Sequence, residues 1–217
     1  MGIDQSFWGM LEQTDRTALE AAATRVLFQP GSVICHQGDN SRNVLLVSRG
    51  RVKVSRLTHN GEETVLAVRG PGEIIGELSA IDGRRRSATL TAVDPVSGIV
   101  IRYTTLKRLC GKHPGIAWAM LQVVVSRQRA TGDQQDLRTG PALCRVGAVL
   151  LYVAHRGPDD LIATVPLSQR ELAGIAGISR ETIARALKTL RERGIISTSR
   201  TSIKILREDE LRKLCGI

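Results

Sequence analysis

The residues whose types and spacing could do chemistry lie between Gly76 and Ala88, where the chain reads GELSAIDGRRRSA. Glu77 comes first, and Arg86 and Ser87 follow nine and ten residues later. An arginine and a hydroxyl, together with free backbone N–H groups, can hold a phosphate. A carboxylate beside them can accept a hydrogen bond from a sugar hydroxyl. The stretch is therefore a candidate site for a molecule that carries both groups.

Turn signals accompany this stretch, with Pro71-Gly72 before it and Asp82-Gly83 inside it. Such pairs favour tight turns and could fold the segment into a cradle. A basic loop at the tip of a solvated hairpin is the alternative that the residue types leave open.

The full spacing resembles the phosphate-binding cassette of cyclic-nucleotide-binding domains. That cassette begins with glycine, glutamate and an aliphatic residue, which here are Gly76, Glu77 and Leu78. The resemblance implies that Glu77 holds the ribose 2′-hydroxyl, and that Arg86 and Ser87 hold the cyclic phosphate.

The elements that must position the cassette read as antiparallel β-structure after a short helix. The helix is predicted over 15–24, with Thr14 or Asp15 as its N-cap. Short β-branched runs separated by turn signals predict strands at 33–34, 43–47, 51–57, 64–68, 88–93 and 98–103. Such spacing indicates a sandwich or barrel, and the cassette resemblance implies a β-roll over residues 1–113. We therefore expect an α+β protein.

A helical turn at 105–112 and then a long helix over 114–137 follow the strands. One seam of the long helix follows alternating steps of four and three and is interrupted only by Arg127 and Gln134. Its apolar members are Ile116, Met120, Val123, Ala130 and Leu137. This spacing is typical of a coiled-coil seam and predicts a homodimer through residues 114–137. Packing of the helix on its own β-roll is the alternative.

The long helix also resembles the dimer helix of the bacterial cyclic-AMP receptor proteins, which closes the nucleotide pocket. The resemblance implies that Thr131 meets the adenine amino group and that Arg127 approaches the phosphate region. The next residue departs from the family pattern, because Gly132 stands where a serine reaches across from the partner subunit. Cyclic AMP is the expected ligand, and cyclic GMP, another nucleotide or weak ligand control stay open.

The segment 167–194, LSQRELAGIAGISRETIARALKTLRERG, reads as a helix-turn-helix. Ser168 and Glu171 form a capping-box pattern before the first helix. Gly177 suits the turn, and Ser179 suits the N-cap of the second helix. Apolar residues then mark the inner faces of both helices, at Leu172, Ala173, Ala176, Ile183, Leu187 and Leu190. An ordinary pair of helices is the alternative.

The second helix opens SRETIAR, which resembles the recognition helix of the cyclic-AMP receptor proteins. The resemblance implies that Arg180, Glu181 and Arg185 read the bases of a TGTGA half-site. Arginine can bond guanine in a bidentate manner, and glutamate can accept from cytosine. Further DNA contacts are expected from Ser179, Thr182, Lys188, Arg170 and Arg200. A dipole or capping role in the first helical turn is the alternative for Glu181.

Charge supports a polyanionic partner for the C-terminal part of the chain. The net charge is +10, and residues 138–217 carry 14 basic and 8 acidic side chains. Such a basic excess is typical of nucleic-acid binding.

The sequence predicts three parts: a β-roll at 1–113, a dimerisation helix at 114–137 and a winged helix-turn-helix at 138–217. The wing strands are predicted at 195–197 and 202–206, and a final helix at 208–214.

The whole pattern resembles the cyclic-AMP receptor and fumarate–nitrate regulator superfamily over roughly residues 15–215. It implies a homodimeric regulator of transcription that binds double-stranded DNA. RNA polymerase is the expected protein partner, and the 156–160 loop is the candidate contact with it. A regulator that needs no ligand, with the β-roll as a dimerising scaffold, is the alternative.

The sequence gives little support for an enzyme, a metal- or haem-binding protein, a membrane protein or a secreted protein. No catalytic grouping or metal motif is recognisable, so neither an enzyme nor a bound metal or haem is expected. The four cysteines are scattered and are interpreted as small buried residues. No apolar run is long enough to cross a membrane, and the start of the chain lacks a basic secretory n-region. We therefore expect a cytoplasmic protein.

Overall fold

The computed structural model describes residues 6–59, 61, 63–137, 140–154, 162–199 and 202–216, with the backbone alone at 131–137. The chain divides into two compact units, residues 1–129 and 130–217. Both units combine helices with antiparallel strands, which confirms the expected α+β class. None of the described helices is long and apolar enough to cross a membrane.

The first unit is built from two antiparallel sheets and flanking helices. Its elements in chain order are α1 (Gln13–Ala21), β1 (Thr24–Phe28), β2 (Val33–Cys35), β3 (Val44–Arg49), β4 (Val52–Leu57), β5 (Glu63–Arg69), β6 (Ile74–Ile75), α2 (Glu77–Asp82), β7 (Thr89–Ala92), β8 (Val96–Ile101), α3 (Tyr103–Lys112) and α4 (Pro114–Leu137). One sheet has the order β1-β8-β3-β6, and the other has the order β2-β7-β4-β5. This arrangement confirms the expected antiparallel β-roll.

Strand β3 is buried on both of its faces and joins two cores. Val44 and Leu46 belong to the core that the helices cover, while Leu45 and Val47 belong to the core between the sheets. This division follows from the strand period of two, which sends successive side chains to opposite faces. The sequence of a strand buried on both faces is an unbroken run of apolar residues, as in the segment VLLV of β3.

The N-terminal helix differs from its prediction at both ends. Its N-cap is Glu12, and it ends at Ala21, after which the chain forms β1 where the sequence indicated helix up to residue 24. Pairing with β8 over five residues explains this strand, because sheet contacts override a local helical preference. The predicted cap Asp15 lies inside the helix, where it is buried and bonds His113 Nδ1 at 3.2 Å.

The long helix α4 has the predicted bounds, but its apolar seam packs differently from expectation. Ile116, Met120 and Val123 are buried in the core of their own unit. The alternative of a helix packed on its own β-roll therefore applies to this half of the seam. A second apolar row stays exposed on the same helix, and its members are Trp118, Leu121 and Val125.

The second unit is a helical domain with a small sheet. Its elements are α5 (Ala142–Val153), β9 (Ala163–Val165), α6 (Gln169–Ala176), α7 (Arg180–Glu192), β10 (Ile196–Thr198), β11 (Ile203–Ile205) and α8 (Glu208–Cys215). The sheet order is β10-β11-β9. The predicted wing is confirmed as β10 and β11, and β9 is a third strand that the sequence analysis missed.

Candidate nucleotide and DNA sites

The cassette begins at Gly76, the residue before helix α2. Its φ of +83° lies in the left-handed region, which glycine adopts without strain. A Cβ built on Gly76 would overlap Nη1 of Arg86. A larger residue at this position would therefore strain the backbone and would also collide with the Arg86 side chain that lies over it.

Arg86 is held inside the cradle by neutral oxygen atoms. Its Nε donates to Ser41 Oγ at 2.9 Å, and its Nη2 donates to the Asn43 carbonyl at 2.5 Å. Its Nη1 donates to the Gly76 carbonyl at 2.9 Å and to Ser79 Oγ at 2.8 Å. These partners fix the guanidinium at the start of α2. The sequence analysis missed them, since Ser41 and Asn43 lie more than 40 residues away along the chain.

The charge of Arg86 is buried without a compensating carboxylate. The residue is only 9% exposed, and within the described part of the chain it forms no ion pair. Buried charges in proteins are normally paired, since removing an ion from water is costly. Its positive charge lowers the pKa of the Cys35 thiol, although burial is the larger effect and raises that pKa overall. The cradle thus carries a positive potential suited to an anion.

Glu77 is the second buried ion of the cassette, and it has a partner. Its Oε1 lies 2.6 Å from Nη1 of Arg127 on α4, and the residue is 5% exposed. Arg127 also donates to the Ile74 carbonyl at 2.7 Å and lies 3.6 Å from Glu73. The expected role of Arg127 was an approach to the phosphate region. The structure brings it to the carboxylate expected to hold the ribose.

Two of the predicted ligand contacts in the cassette, and two of its arginines, lie at the surface. Ser87 and Leu78 are exposed. Arg84 is exposed beside Asp82, and Arg85 is exposed and donates to the Gly38 carbonyl at 3.1 Å. Of the three consecutive arginines, only Arg86 is buried in the cradle.

A cleft of about 260 Å³ borders Arg127 and is lined by Ser6, Phe7, Arg69, Glu73, Ile74, Val123, Ser126 and Arg127. The backbone of Thr131 lies in α4, but its side chain is outside the described residues. The adenine contact expected of Thr131 therefore stays a prediction.

The helix-turn-helix is built as its local sequence predicts. Ser168 Oγ accepts from the Glu171 N–H at 3.3 Å, and the Ser168 N–H donates to Glu171 Oε2 at 2.9 Å, which completes the capping box. Gly177 ends α6 with a φ of +60°. Ser179 then caps α7 by accepting from the Thr182 N–H at 3.2 Å. Helices α6 and α7 are therefore the two helices of the predicted helix-turn-helix.

The recognition helix α7 presents basic residues at its exposed start. Its inner face is buried through Ile183, Leu187 and Leu190. Arg180, Glu181 and Arg185 are exposed and form no side-chain hydrogen bond or ion pair with other described residues. Their side chains are therefore accessible to a partner, and their expected roles as base readers stay predictions.

The remaining candidate DNA contacts have different surroundings. Lys188 is exposed and lies 3.8 Å from Glu192, and Arg170 is exposed on the first helix. Ser179 and Thr182 serve the cap of α7, which places them beside its exposed start. Arg200 and the 156–160 loop lie outside the described residues, so their expected roles stay predictions.

These two sites define a class of protein: a nucleotide-binding β-roll joined in one chain to a winged helix-turn-helix. Family models agree, since residues 25–113 match the cyclic nucleotide-binding domain and residues 144–214 match the Crp-like helix-turn-helix domain. The described residues contain no group of three or more His, Cys, Asp or Glu side chains that could hold a metal ion.

Known proteins extend the agreement over most of the chain. The chain is 31% identical to the cyclic AMP receptor protein of Thermus thermophilus, over 83% of each protein. It is 29% identical to a CRP-like cAMP-activated global transcriptional regulator of Mycobacterium tuberculosis, over 94% of this chain and 95% of that one. The crystal structure of the Thermus thermophilus catabolite activator protein is 27% identical, with a TM-score of 0.55, and covers 97% of this chain and 98% of that one.

The chain belongs to the cyclic-AMP receptor and fumarate–nitrate regulator superfamily, close to the cyclic-AMP receptor proteins. It is a DNA-binding transcription regulator with a cyclic-nucleotide-binding domain. The expectation that it is not an enzyme is confirmed, because its relatives are regulators of transcription.

Proposed function

We propose that this protein is a homodimeric transcription regulator whose affinity for DNA is controlled by a cyclic nucleotide, with cyclic AMP as the first candidate. The observation that carries the ligand proposal is the buried charge of Arg86, which only neutral oxygens contact among the described residues. A cyclic phosphate would supply the missing negative charge. Charge-assisted hydrogen bonds to phosphate are among the strongest that arginine makes.

Glu77 supports a ligand with a ribose ring. Its carboxylate is buried at the start of α2, the same element that offers its Gly76 carbonyl and Ser79 hydroxyl to Arg86. A 2′-hydroxyl could donate to the second carboxylate oxygen while Arg127 keeps the first. The cradle would thus recognise sugar and phosphate, and the choice of base would fall to Thr131.

Control of DNA binding requires that the ligand prefer one arrangement of the dimer over another. The ion pair between Glu77 and Arg127 supports such a link, because it connects the cradle to α4. In the proposed scheme, residues 1–113 bind the nucleotide, 114–137 dimerise and 138–217 bind DNA. The nucleotide would re-set α4, and the two copies of α7 would then reach successive major grooves of a TGTGA-type palindrome, about 34 Å apart.

The exposed row of Trp118, Leu121 and Val125 supports dimerisation through α4. These three large apolar side chains are 63%, 51% and 41% exposed in the single chain and follow steps of three and four. Exposed apolar rows of this kind mark interaction surfaces. A second copy of the same helix would cover the row in a two-fold dimer.

Calorimetric titration with cyclic AMP and cyclic GMP tests the ligand proposal. Arg86→Ala should weaken binding of the preferred nucleotide by roughly tenfold or more, because about 1.5–3 kcal/mol of charged hydrogen bonding is lost. Arg85→Ala is the matched control, since this neighbouring side chain is exposed, and it should bind as the wild type does. Equal binding by the wild type and Arg86→Ala would refute the cradle assignment.

Fluorescence anisotropy on a TGTGA-type palindrome tests the regulatory proposal. Cyclic AMP should raise the DNA affinity of the wild type and leave that of Arg86→Ala unchanged. Equal affinity of the wild type with and without nucleotide would favour the alternative of a regulator without ligand control. RNA polymerase is the proposed protein partner, and action on chromosomal DNA would place the protein in the cytoplasm.

A further inference from the structure

Two cysteines that are far apart in the sequence meet in the second unit. Cys144 lies in the first turn of α5 and Cys215 at the end of α8. Cys144 Sγ donates to the Leu214 carbonyl at 3.2 Å, and Cys215 Sγ donates to the Cys144 carbonyl at 3.4 Å. Each thiol therefore bonds the backbone at or beside the other cysteine.

The backbone of α5 lets the end of α8 come close. A Cβ built on Gly147 would overlap Cys215 Sγ, so a side chain at this position would push the thiol away. Both cysteines are partly exposed and can therefore meet a small oxidant. Thiol hydrogen bonds are weak, so the two bonds to the backbone cost little to break.

We propose that Cys144 and Cys215 form a redox-active dithiol, which closes an intramolecular disulfide when a hydroperoxide is supplied. The Cys144 sulfur attacks one oxygen of hydrogen peroxide and the O–O bond breaks, so that Cys144 becomes a sulfenic acid and the other oxygen leaves as water. Cys215 then attacks that sulfur, the S–S bond forms, and the hydroxyl leaves with the thiol proton as a second water. The two thiols lose two protons and two electrons in all, and the hydrogen peroxide receives them as it becomes two molecules of water.

The order of the two steps follows from the surroundings of Cys215. Burial, followed by repulsion from Cys144, raises the pKa of Cys215 to about 11. Cys215 therefore keeps its proton near neutral pH and is a poor first nucleophile. The peroxide therefore reacts first with Cys144, and Cys215 loses its proton only as its sulfur attacks the oxidised Cys144.

The disulfide would act on the DNA-binding motif through the next residue of α5. Arg145 Nη2 donates to the carbonyl groups of Ala176 and Gly177, the latter at 2.7 Å. These carbonyls form the turn between α6 and the recognition helix α7. A disulfide that displaced the first turn of α5 would therefore move Arg145 and disturb its hydrogen bonds to the turn between α6 and α7. We expect the disulfide to lower DNA affinity roughly tenfold, within the usual range of coupling between sites.

The pairing is tested by mass spectrometry of the full-length protein after hydrogen peroxide treatment. The intact mass should fall by two hydrogens, and trypsin should release residues 139–145 joined to residues 214–217. Cys144→Ser and Cys215→Ser should abolish this product, while Cys110→Ser in the first unit should retain it. A joined peptide that involves Cys35 or Cys110 instead, or unchanged thiols, would overturn the proposal.

The effect on the motif is tested by anisotropy on the same DNA duplex before and after oxidation. The loss of affinity should be reversed by dithiothreitol and absent in Cys215→Ser. Equal affinity of the dithiol and disulfide forms would overturn the coupling through Arg145. If the reduced wild type does not bind DNA at all, the proposed function is wrong. The mass spectrometry of the peptides then decides by itself whether Cys144 and Cys215 form the disulfide.

Discussion

Arg127 Nη1 and Glu77 Oε1 lie 2.6 Å apart, and this ion pair ties helix α4 to the nucleotide cassette. The carboxylate is nearly buried, and the guanidinium is 19% exposed. A buried carboxylate that loses its partner is costly, because its charge is then neither hydrated nor paired. The ion pair therefore stabilises the first unit, and in the proposed function it would couple nucleotide binding to the position of α4.

Arg127→Met should destabilise the first unit by about 2–4 kcal/mol, since it leaves Glu77 buried without its cation. Glu77→Gln combined with Arg127→Met should cost less than the sum of the two single changes, by about 1–3 kcal/mol. Urea unfolding followed by tryptophan fluorescence measures this cycle. Both tryptophans, Trp8 and Trp118, lie in the first unit, so the signal reports that unit alone. Additive effects would contradict the pairing.

Local sequence was enough to predict the parts of the sites that depend on short-range geometry. The capping box of Ser168, the turn at Gly177 and the cap at Ser179 each involve residues within a few positions of one another. The bond from Arg86 to the Gly76 carbonyl is likewise short-range, since the two residues are ten positions apart and meet across one short helix. Spacing in the chain then corresponds to spacing in the fold.

Features that depend on distant pairing could not be predicted from the sequence. Strand β1 exists because β8, about 70 residues later, pairs with it. The bond between Asp15 and His113 and the contact of Cys144 with the end of α8 likewise join distant positions. The faces of α4 show a different difficulty: two apolar rows run along one helix, and only the fold decides which row its own core buries.

Gly76→Ala should abolish nucleotide binding, because the added Cβ would displace the Arg86 guanidinium. Gly83→Ala is the matched control, since its φ of +73° imposes a comparable backbone strain of about 1–2 kcal/mol. A Cβ on Gly83 meets only the end of the Arg42 side chain, at 3.6 Å. Calorimetry should therefore show nucleotide binding by Gly83→Ala and none by Gly76→Ala. Equal binding by both would mean that Arg86 can move without loss.

Leu121→Arg should convert the proposed dimer to a monomer, because a charge would enter the exposed apolar row of α4. Leu57→Arg is the control, since Leu57 is 56% exposed in β4 and Leu121 is 51% exposed in α4. Sedimentation velocity measures the mass of each variant. A dimer in Leu57→Arg and a monomer in Leu121→Arg are expected. A dimer that survives Leu121→Arg and Trp118→Arg together would place the interface elsewhere.

Alkaline pH should destabilise the second unit through Cys215. Its pKa is raised from 9.0 to about 11 by burial and by Cys144, so the folded state favours the protonated thiol. The unfolded chain ionises at lower pH, and this contribution to stability is therefore lost progressively between about pH 9 and pH 11. Under reducing conditions, the free energy of unfolding should fall more steeply in the wild type than in Cys215→Ser. Circular dichroism measures both, and parallel pH curves would contradict the prediction.

Arg180→Ala and Lys188→Ala should separate base reading from phosphate contact on α7. Arg180 is exposed at the start of the helix, where side chains meet base edges first. Its loss should cost about 1–3 kcal/mol on the preferred palindrome and relax the preference at one base pair. Lys188 is exposed about two turns later, beside Glu192. Its loss should weaken binding about equally on all sequences.

Anisotropy titrations over a range of salt concentrations measure this difference on the palindrome and on variants with one changed base pair. Lys188→Ala should reduce the steepness of the salt dependence by about one unit, because one phosphate contact is lost. Arg180→Ala should instead make the palindrome and one variant bind almost alike. If Arg180→Ala weakened every duplex equally and preserved the base preference, Arg180 would be a phosphate contact, and sequence reading would belong to Glu181 and Arg185.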